Sequence, residues 1–183
     1  MRITSGEYGG RKLSEPKGNA IRPTSDKVRQ AIFNMLGARM DIEGATVIDL
    51  FCGTGALSFE ALSRGALHAT LCDISAASLK LAKENAALIG AMERCTFIKA
   101  DASKGFDKKP DQEPVNLVFC DPPYDKGLSE KALKALHDKN YLIEGCIIVA
   151  ESEKNLDYSL PEFKILTEKT YGDTKIVLLE YTL

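Results

Sequence analysis

Residues 46–56 read TVIDLFCGTGA, and they give the clearest indication of the fold class. Its first six residues are a short apolar run, which predicts a buried β-strand ending near Phe51. Gly53 and Gly55 then permit a tight turn, and a helix is predicted over residues 56–64. A strand, a glycine turn and a helix in this order are typical of α/β sheets that bind a ligand beyond the carboxyl ends of their strands.

The same alternation of strands and helices continues on both sides of this stretch. The other predicted elements are helices over 24–37, 75–89 and 128–138 and strands over 69–73, 95–98, 115–120 and 146–150. Two last strands, over 163–167 and 175–179, are separated by turn residues and should pair antiparallel. We therefore predict a Rossmann-like, doubly wound α/β fold, with a mostly parallel seven-stranded sheet and an antiparallel C-terminal edge hairpin.

Residues 1–183 are predicted to form a single domain with a basic N-terminal extension over residues 1–40. The extension comprises a loop or short hairpin over 1–23, which we expect to lie outside the core, and a helix with Thr24 as its N-cap. It holds eight Lys/Arg against three acidic residues, a local charge of +5, whereas the whole chain carries −2. Such asymmetry indicates contact with a polyanion, although a solvated charged hairpin would look the same.

Composition narrows the class of protein. Hydrophobic residues make up 44% of the chain and charged residues 27%, which is typical of a folded globular protein. No apolar run approaches the roughly 20 residues that a membrane helix needs, and we expect a cytoplasmic location. The five cysteines include no C-x-x-C pair, and the two histidines have no ligand-like spacing, so we expect no metal.

Three aspartates lie at or near the ends of the first three predicted strands. Asp49 lies within the first strand, just before the glycine turn. Asp73 ends the second strand, where its carboxylate could accept both ribose hydroxyls of an adenosine. Asp101 ends the third strand, a placement that suits acceptance from an adenine amino group. The glycine turn does not complete a G-x-G-x-x-G dinucleotide fingerprint, because Ser58 occupies the third small-residue position.

The fourth predicted strand ends in Asp121-Pro122-Pro123-Tyr124. The two prolines fix φ and remove two N–H donors, which leaves a rigid turn rich in acceptors. Together with the Asp121 carboxylate, these acceptors match the two N–H groups of an exocyclic amine. Tyr124 offers an aromatic face on which an extruded base can stack.

These motifs resemble those of the class I amino-methyltransferases, and the N-terminal motifs narrow the resemblance to the RsmD family. The matching residues are Arg2-Ile3-x-x-Gly6-x-Tyr8-x-Gly10-Arg11-Lys12-Leu13, Arg22-Pro23-Thr24-x-Asp26-x-Val28-Arg29-x-Ala31-Ile32-Phe33-Asn34, Asp49-x-Phe51-x-Gly53-x-Gly55 and Asp121-Pro122-Pro123-Tyr124. The family methylates N2 of a guanine in bacterial 16S ribosomal RNA. The resemblance covers nearly the whole chain; Cys52 is a mild departure, since the family often has a small residue there.

The resemblance implies a role for each matching residue. The implied catalytic residues are Asp121, Pro122 and Tyr124. S-adenosylmethionine, which leaves as S-adenosylhomocysteine, would be bound by Asp49, Phe51, Gly53, Gly55, Asp73, Ile74, Asp101 and Ala102. RNA would contact Arg11, Lys12, Arg22, Thr24 and Pro123. The implied partner is ribosomal RNA, within an assembling small ribosomal subunit, and we expect a monomer.

Other readings of the motifs remain open. The Asp-Pro-Pro-Tyr turn suits N6-adenine methylation of DNA or RNA equally well, and it also suits a protein glutamine amide. A nicotinamide-dependent oxidoreductase is disfavoured by the incomplete dinucleotide fingerprint and by the lack of an obvious catalytic His or Lys at the sheet edge. A non-catalytic RNA-binding module is disfavoured by the intact Gly53, Gly55, Asp73 and Asp121.

Overall fold

The structure is a computed structural model that describes residues 1–17, 24–108, 112–123, 127–153 and 159–183. The strands are β1 (Thr46–Asp49), β2 (His68–Asp73), β3 (Cys95–Lys99), β4 (Val115–Cys120), β5 (Leu142–Glu153), β6 (Phe163–Tyr171) and β7 (Thr174–Tyr181). The helices are α1 (Asp26–Gly37), α2 (Ala56–Ser63), α3 (Ala76–Ile89) and α4 (Leu128–Asp138), with 3₁₀ turns at Met92–Arg94 and Ala102–Lys104.

The seven strands form one sheet in the order β3-β2-β1-β4-β5-β7-β6. Strands β1 to β5 pair in parallel, whereas β7 pairs antiparallel with both β5 and β6. The order reverses direction between β1 and β4, and that switch point is where doubly wound sheets bind ligands. The predicted fold class, including the antiparallel C-terminal hairpin, is confirmed.

Both faces of the sheet are covered, because successive side chains of each strand point to opposite faces. Val47 and Phe119 pack on one face with α1, α2 and α3, whereas Ile48 and Val118 pack on the other with α4. Strand β6 is an edge strand with mostly exposed or half-buried side chains. This explains why the apolar run over 163–167 underestimated its length: an edge strand carries polar residues that an apolar criterion misses.

The prediction that residues 1–23 lie outside the core is wrong for the part that the structure describes. Ile3, Tyr8 and Leu13 are buried in the main core, and an antiparallel bridge between Arg2 and Lys12 closes the segment into a hairpin. The polar and Gly-rich composition hid these three apolar residues, because their spacing follows neither a strand nor a helix. The hairpin is basic on its outer surface and apolar beneath.

Helix α1 begins one residue later than predicted. Ser25, not Thr24, is its N-cap, because the Ser25 hydroxyl accepts a hydrogen bond from the Val28 amide at 3.2 Å. The Thr24 side chain is therefore released to make a contact in the cavity described below. Within the described ranges, no helix is both long and apolar enough to cross a membrane.

Candidate active site

A cavity of about 560 Å³ opens at the carboxyl ends of the parallel strands. Residues that follow β1 and β4, the two strands at the switch point, line it together with residues that follow β2 and β3. The predicted site residues in its wall are Thr24, Asp49, Phe51, Gly53, Asp73, Ile74, Asp101, Ala102, Asp121, Pro122 and Pro123. Residues that lie far apart in the chain thus share one cavity.

The glycine turn forms the floor of the cavity beside β1. Gly53 and Gly55 adopt φ values of +51° and +80°, which side-chain-bearing residues rarely tolerate. A Cβ on Gly55 would lie 2.4 Å from the Phe59 ring, so this glycine also permits close packing of α2. Gly55 itself is buried beneath the turn rather than in the cavity wall, which indicates a structural role in shaping the floor.

Two aspartates stand at the β2–β3 side of the cavity. Asp73 accepts hydrogen bonds from the backbone N–H groups of Gly53 at 3.0 Å and Ser75 at 2.8 Å, so both of its carboxylate oxygens are oriented. Asp101 accepts from the backbone N–H of Ser103 at 3.1 Å and from its hydroxyl at 2.6 Å. The Ser103 hydroxyl is the main cause of the lowered pKa of Asp101, which is opposed by slight desolvation. Both groups present anionic acceptors at the rim.

Asp49 is the deepest carboxylate of the cavity, with only 2% of its surface exposed. Burial raises its pKa to about 7, and the neighbouring Asp73 carboxylate adds to the rise. The Ser58 hydroxyl donates to Asp49 at 2.9 Å and opposes this rise. An acid held in this way gains from any cation that enters the cavity, because a positive charge stabilises its ionised form.

Asp121 follows β4, the strand that pairs with β1, and lies near a second acid, Glu151, which the sequence analysis did not single out. Burial raises the pKa of Asp121 well above the ordinary aspartate value, and the carboxylates of Glu151 and Asp49 raise it further. The Thr24 hydroxyl donates to Glu151 at 3.1 Å, and its polar group near Asp121 partly opposes the rise in the pKa of Asp121. Glu151 could have been found by the same rule as Asp121, since it directly follows an apolar strand run.

A buried ion-pair network holds Thr24 in place. The Arg29 side chain is fully buried; its Nη2 lies 2.7 Å from Asp26 and its Nε 3.4 Å from Glu60. Arg29 also donates to the backbone carbonyl of Thr24 at 3.4 Å and to that of Arg2. Arg29 is therefore committed to the interior, and it does not belong to the basic surface that the charge count of residues 1–40 suggested.

The remaining predicted residues lie apart from the cavity or outside the described residues. Arg11 and Lys12 are exposed on the N-terminal hairpin and do not line the cavity. The Arg11 guanidinium donates to the Ile89 carbonyl at the end of α3 at 2.5 Å. Arg22 and Tyr124 fall outside the described residues. Within the described ranges, no group of three or more His, Cys, Asp or Glu side chains is placed to hold a metal ion.

The fold and the cavity define a class of protein. A solved structure of yhhF from Escherichia coli, described as a candidate methyltransferase, matches this chain with a TM-score of 0.85 at 32% identity, and the match covers 100% of this chain and 98% of that one. The sheet order, the terminal antiparallel hairpin and this likeness together make the fold that of a class I methyltransferase.

Sequence relatives identify the family within that class. Ribosomal RNA small subunit methyltransferase D of Escherichia coli (strain K12) is 39% identical over 154 residues, which cover 84% of this chain and 75% of the relative. The protein of the same name from Haemophilus influenzae is 33% identical over 174 residues, with 94% and 89% covered. The family described as conserved hypothetical protein 95 matches residues 1–180, and the chain belongs to this family, the RsmD family.

Proposed function

We propose that this protein transfers a methyl group from S-adenosylmethionine to the exocyclic N2 of a guanine in 16S ribosomal RNA. One observation carries the proposal: the glycine turn with Asp73 and Asp101 and the Asp121-Pro122 acceptors line the same cavity. A nucleoside cofactor held at the first group would therefore lie beside an amine held at the second. The names of the small-subunit methyltransferase relatives support the substrate class.

The cofactor half of the cavity fits a cationic adenosine derivative. Asp73 would accept the ribose hydroxyls, while Asp101 and the backbone of Ala102 would contact the adenine. S-adenosylmethionine supplies an electrophilic methyl group on a sulfonium and leaves as S-adenosylhomocysteine. The buried Asp49 carboxylate would offset the positive charge of the cofactor, which explains why an acid with a pKa near 7 is retained there. Phe51 and Ile74 would cover its apolar parts.

The base half fits an exocyclic amine. The Asp121 carboxylate and the Pro122 backbone carbonyl would accept its two N–H groups and orient the nitrogen lone pair towards the methyl group. Methyl transfer to the amine would leave the C–S bonding electrons with the departing S-adenosylhomocysteine, and Asp121 would accept the N–H proton that the methylated nitrogen releases. Because its pKa is raised, Asp121 can hold that proton before releasing it to solvent. Pro123 would keep the turn rigid and Tyr124 would stack on the base.

The RNA would approach over the N-terminal hairpin, whose exposed basic residues include Arg2, Arg11, Lys12 and Lys17. Phosphate contacts of this kind release counterions, so binding of small-subunit RNA should weaken by an order of magnitude or more between about 50 and 200 mM salt. A flat salt response would contradict this role of the hairpin. We propose that the protein acts as a monomer, and an assembling ribosomal subunit as substrate implies action in the cytoplasm.

The direct test is transfer of tritiated methyl from S-adenosylmethionine to small ribosomal subunits that lack their own modifications, in parallel with naked 16S RNA. Nuclease digestion then identifies the labelled nucleoside. We expect N2-methylguanosine with the wild-type protein, almost none with Asp121→Asn, and wild-type levels with the matched control Asp107→Asn, which changes an exposed aspartate outside the cavity wall. Label in N6-methyladenosine would contradict the guanine assignment, and an absence of label on any RNA would contradict an RNA substrate.

A further inference from the structure

Glu151 is an acidic residue of the cavity that has no role in the proposed reaction as described so far. It lies in the wall beside Asp121 and Pro122, on β5 rather than on the Asp-Pro-Pro-Tyr turn. We propose that Glu151 accepts the N1–H of the guanine whose N2 amine is held by Asp121, so that the two carboxylates form a guanine-selective acceptor pair. This inference rests on the proposed function and adds a specificity-determining residue to it.

Strand register brings the two acids side by side. Phe119 of β4 pairs with Val149 of β5, and the next residues, Cys120 and Ala150, pair in turn. Because side chains alternate along a strand, Asp121 and Glu151 follow Phe119 and Val149 to the same face of the sheet. Neighbouring strands lie about 4.8 Å apart. The two carboxylates therefore lie next to each other at the carboxyl edge of the sheet, in the wall of the same cavity as Gly53.

The acid pair is shaped for a substrate with two adjacent donors. Two like charges at this spacing repel each other, and the carboxylate of Glu151 accordingly raises the pKa of Asp121. The Thr24 hydroxyl donates to Glu151, with 3.1 Å between Thr24 Oγ1 and Glu151 Oε2, and so orients that carboxylate. A ligand that inserts further N–H donors between the carboxylates relieves the repulsion, whereas a ligand with an acceptor there increases it.

Guanine offers that donor pattern, and adenine does not. The Watson–Crick edge of guanine carries N1–H next to the N2 amine, so two ionised carboxylates can each accept from it. Adenine carries an N6 amine beside N1, which is an acceptor and would face Glu151 with a lone pair. Sites built to receive a substrate hydrogen bond reject analogues that lack it by factors of roughly 10⁴. Glu151 would therefore allow the site to distinguish guanine from adenine, which the Asp-Pro-Pro-Tyr turn alone cannot do.

The base analogue 2-aminopurine allows the proposed recognition of N1–H by Glu151 to be tested separately from methyl transfer to N2. It keeps the reacting N2 amine but has an acceptor at N1 instead of N1–H. Small subunits would be reconstituted with 16S RNA that carries either guanosine or 2-aminopurine riboside at the position methylated by the wild-type protein. The kcat/KM for methyl transfer would be measured for the wild type, Glu151→Gln and Glu151→Ala. Glu84→Gln, the same change on the exposed face of α3, serves as the matched control.

We expect the wild type and Glu84→Gln to prefer guanosine by at least roughly 100-fold. The amide introduced by Glu151→Gln can both donate and accept, so this variant should narrow the preference to below about 10-fold, by losing rate on guanosine and gaining rate on 2-aminopurine. Glu151→Ala should lose rate on guanosine without that gain. An unchanged preference in Glu151→Gln overturns the role of Glu151 while the proposed function stands. Failure of the wild type to methylate the guanosine form overturns the proposed function itself.

Discussion

Replacing Asp49 by asparagine should change how the stability of the ligand-free protein depends on pH. Asp49 is buried, and its pKa is raised from 3.8 to about 7 in the folded chain. An unfolded chain ionises this group near its ordinary value, so the folded chain binds more protons between these two pH values. Wild-type stability from this group is therefore greatest at low pH and falls as the pH rises towards 7. The amide of the Asp49→Asn variant does not titrate, so the variant lacks this dependence.

The magnitude follows from the two pKa values. The full rise corresponds to about 4 kcal/mol of penalty on the ionised form, which applies to the wild type at pH 8. At pH 5 the folded chain still carries the proton and the penalty is about 2 kcal/mol. The stability of Asp49→Asn relative to wild type should therefore increase by about 2–3 kcal/mol from pH 5 to pH 8. For a chain of this size that is roughly 5–10 °C in Tm.

Thermal unfolding of both proteins at pH 5, 6, 7 and 8 measures this difference. The hydrogen bonds that Ser58 and nearby backbone N–H groups donate to Asp49 add an offset in the variant, but this offset does not vary with pH. Asp101→Asn is the matched control: its carboxylate lies at the rim and its pKa is lowered, so no gain at pH 8 is expected. A Tm difference between Asp49→Asn and wild type that stays constant across this range would refute the argument.

Three further predictions concern catalysis, cofactor binding and folding. The rate of methyl transfer should decline as the pH falls through the raised pKa of Asp121, because this acceptor must be ionised. Glu151→Gln removes a charge that raises this pKa, so the decline in the pH–rate profile should move to lower pH. A decline at the same pH in the variant would contradict an electrostatic effect of Glu151 on Asp121. Asp73→Asn should weaken S-adenosylmethionine binding by roughly 10-fold or more in calorimetry, through loss of a charged acceptor; wild-type affinity would exclude the ribose contact. Arg29→Met removes one of the two guanidinium groups paired with the buried Glu60 carboxylate, while Arg64 stays in place, and should cost about 1.5–3 kcal/mol in denaturant unfolding; a wild-type midpoint would contradict the importance of Arg29 in this network.

The sheet could be predicted because its strands are short apolar runs between clear glycine and polar boundaries. Residues 115–120 illustrate this, since the apolar run and the observed β4 share the same limits. The hairpin over 1–17 could not be predicted in the same way. Tertiary contacts with the rest of the core bury Ile3, Tyr8 and Leu13. The local sequence pattern does not predict this burial, because the three residues follow neither helical nor strand periodicity.

Some residues of the candidate site could be predicted from the sequence, and one could not. Asp49, Asp73 and Asp121 were predictable because each lies at or near the carboxyl end of a buried strand. Glu151 obeys the same rule but stands in a polar ESE stretch, whose acids are typical of a solvated strand end. Its contact with Thr24 joins residues 127 positions apart, and only the folded chain reveals it.

The burial of Arg29 has a consequence for how this protein can be altered. Its guanidinium ties together the hairpin, the start of α1 and Glu60 of α2, and through the Thr24 backbone it reaches the edge of the reaction cavity. The surface proposed to meet RNA and the pocket proposed to hold the base are thus not interchangeable modules. Grafting the N-terminal hairpin of another methyltransferase onto this sheet should damage turnover as well as RNA affinity, unless the partners of Arg29 are transplanted with it.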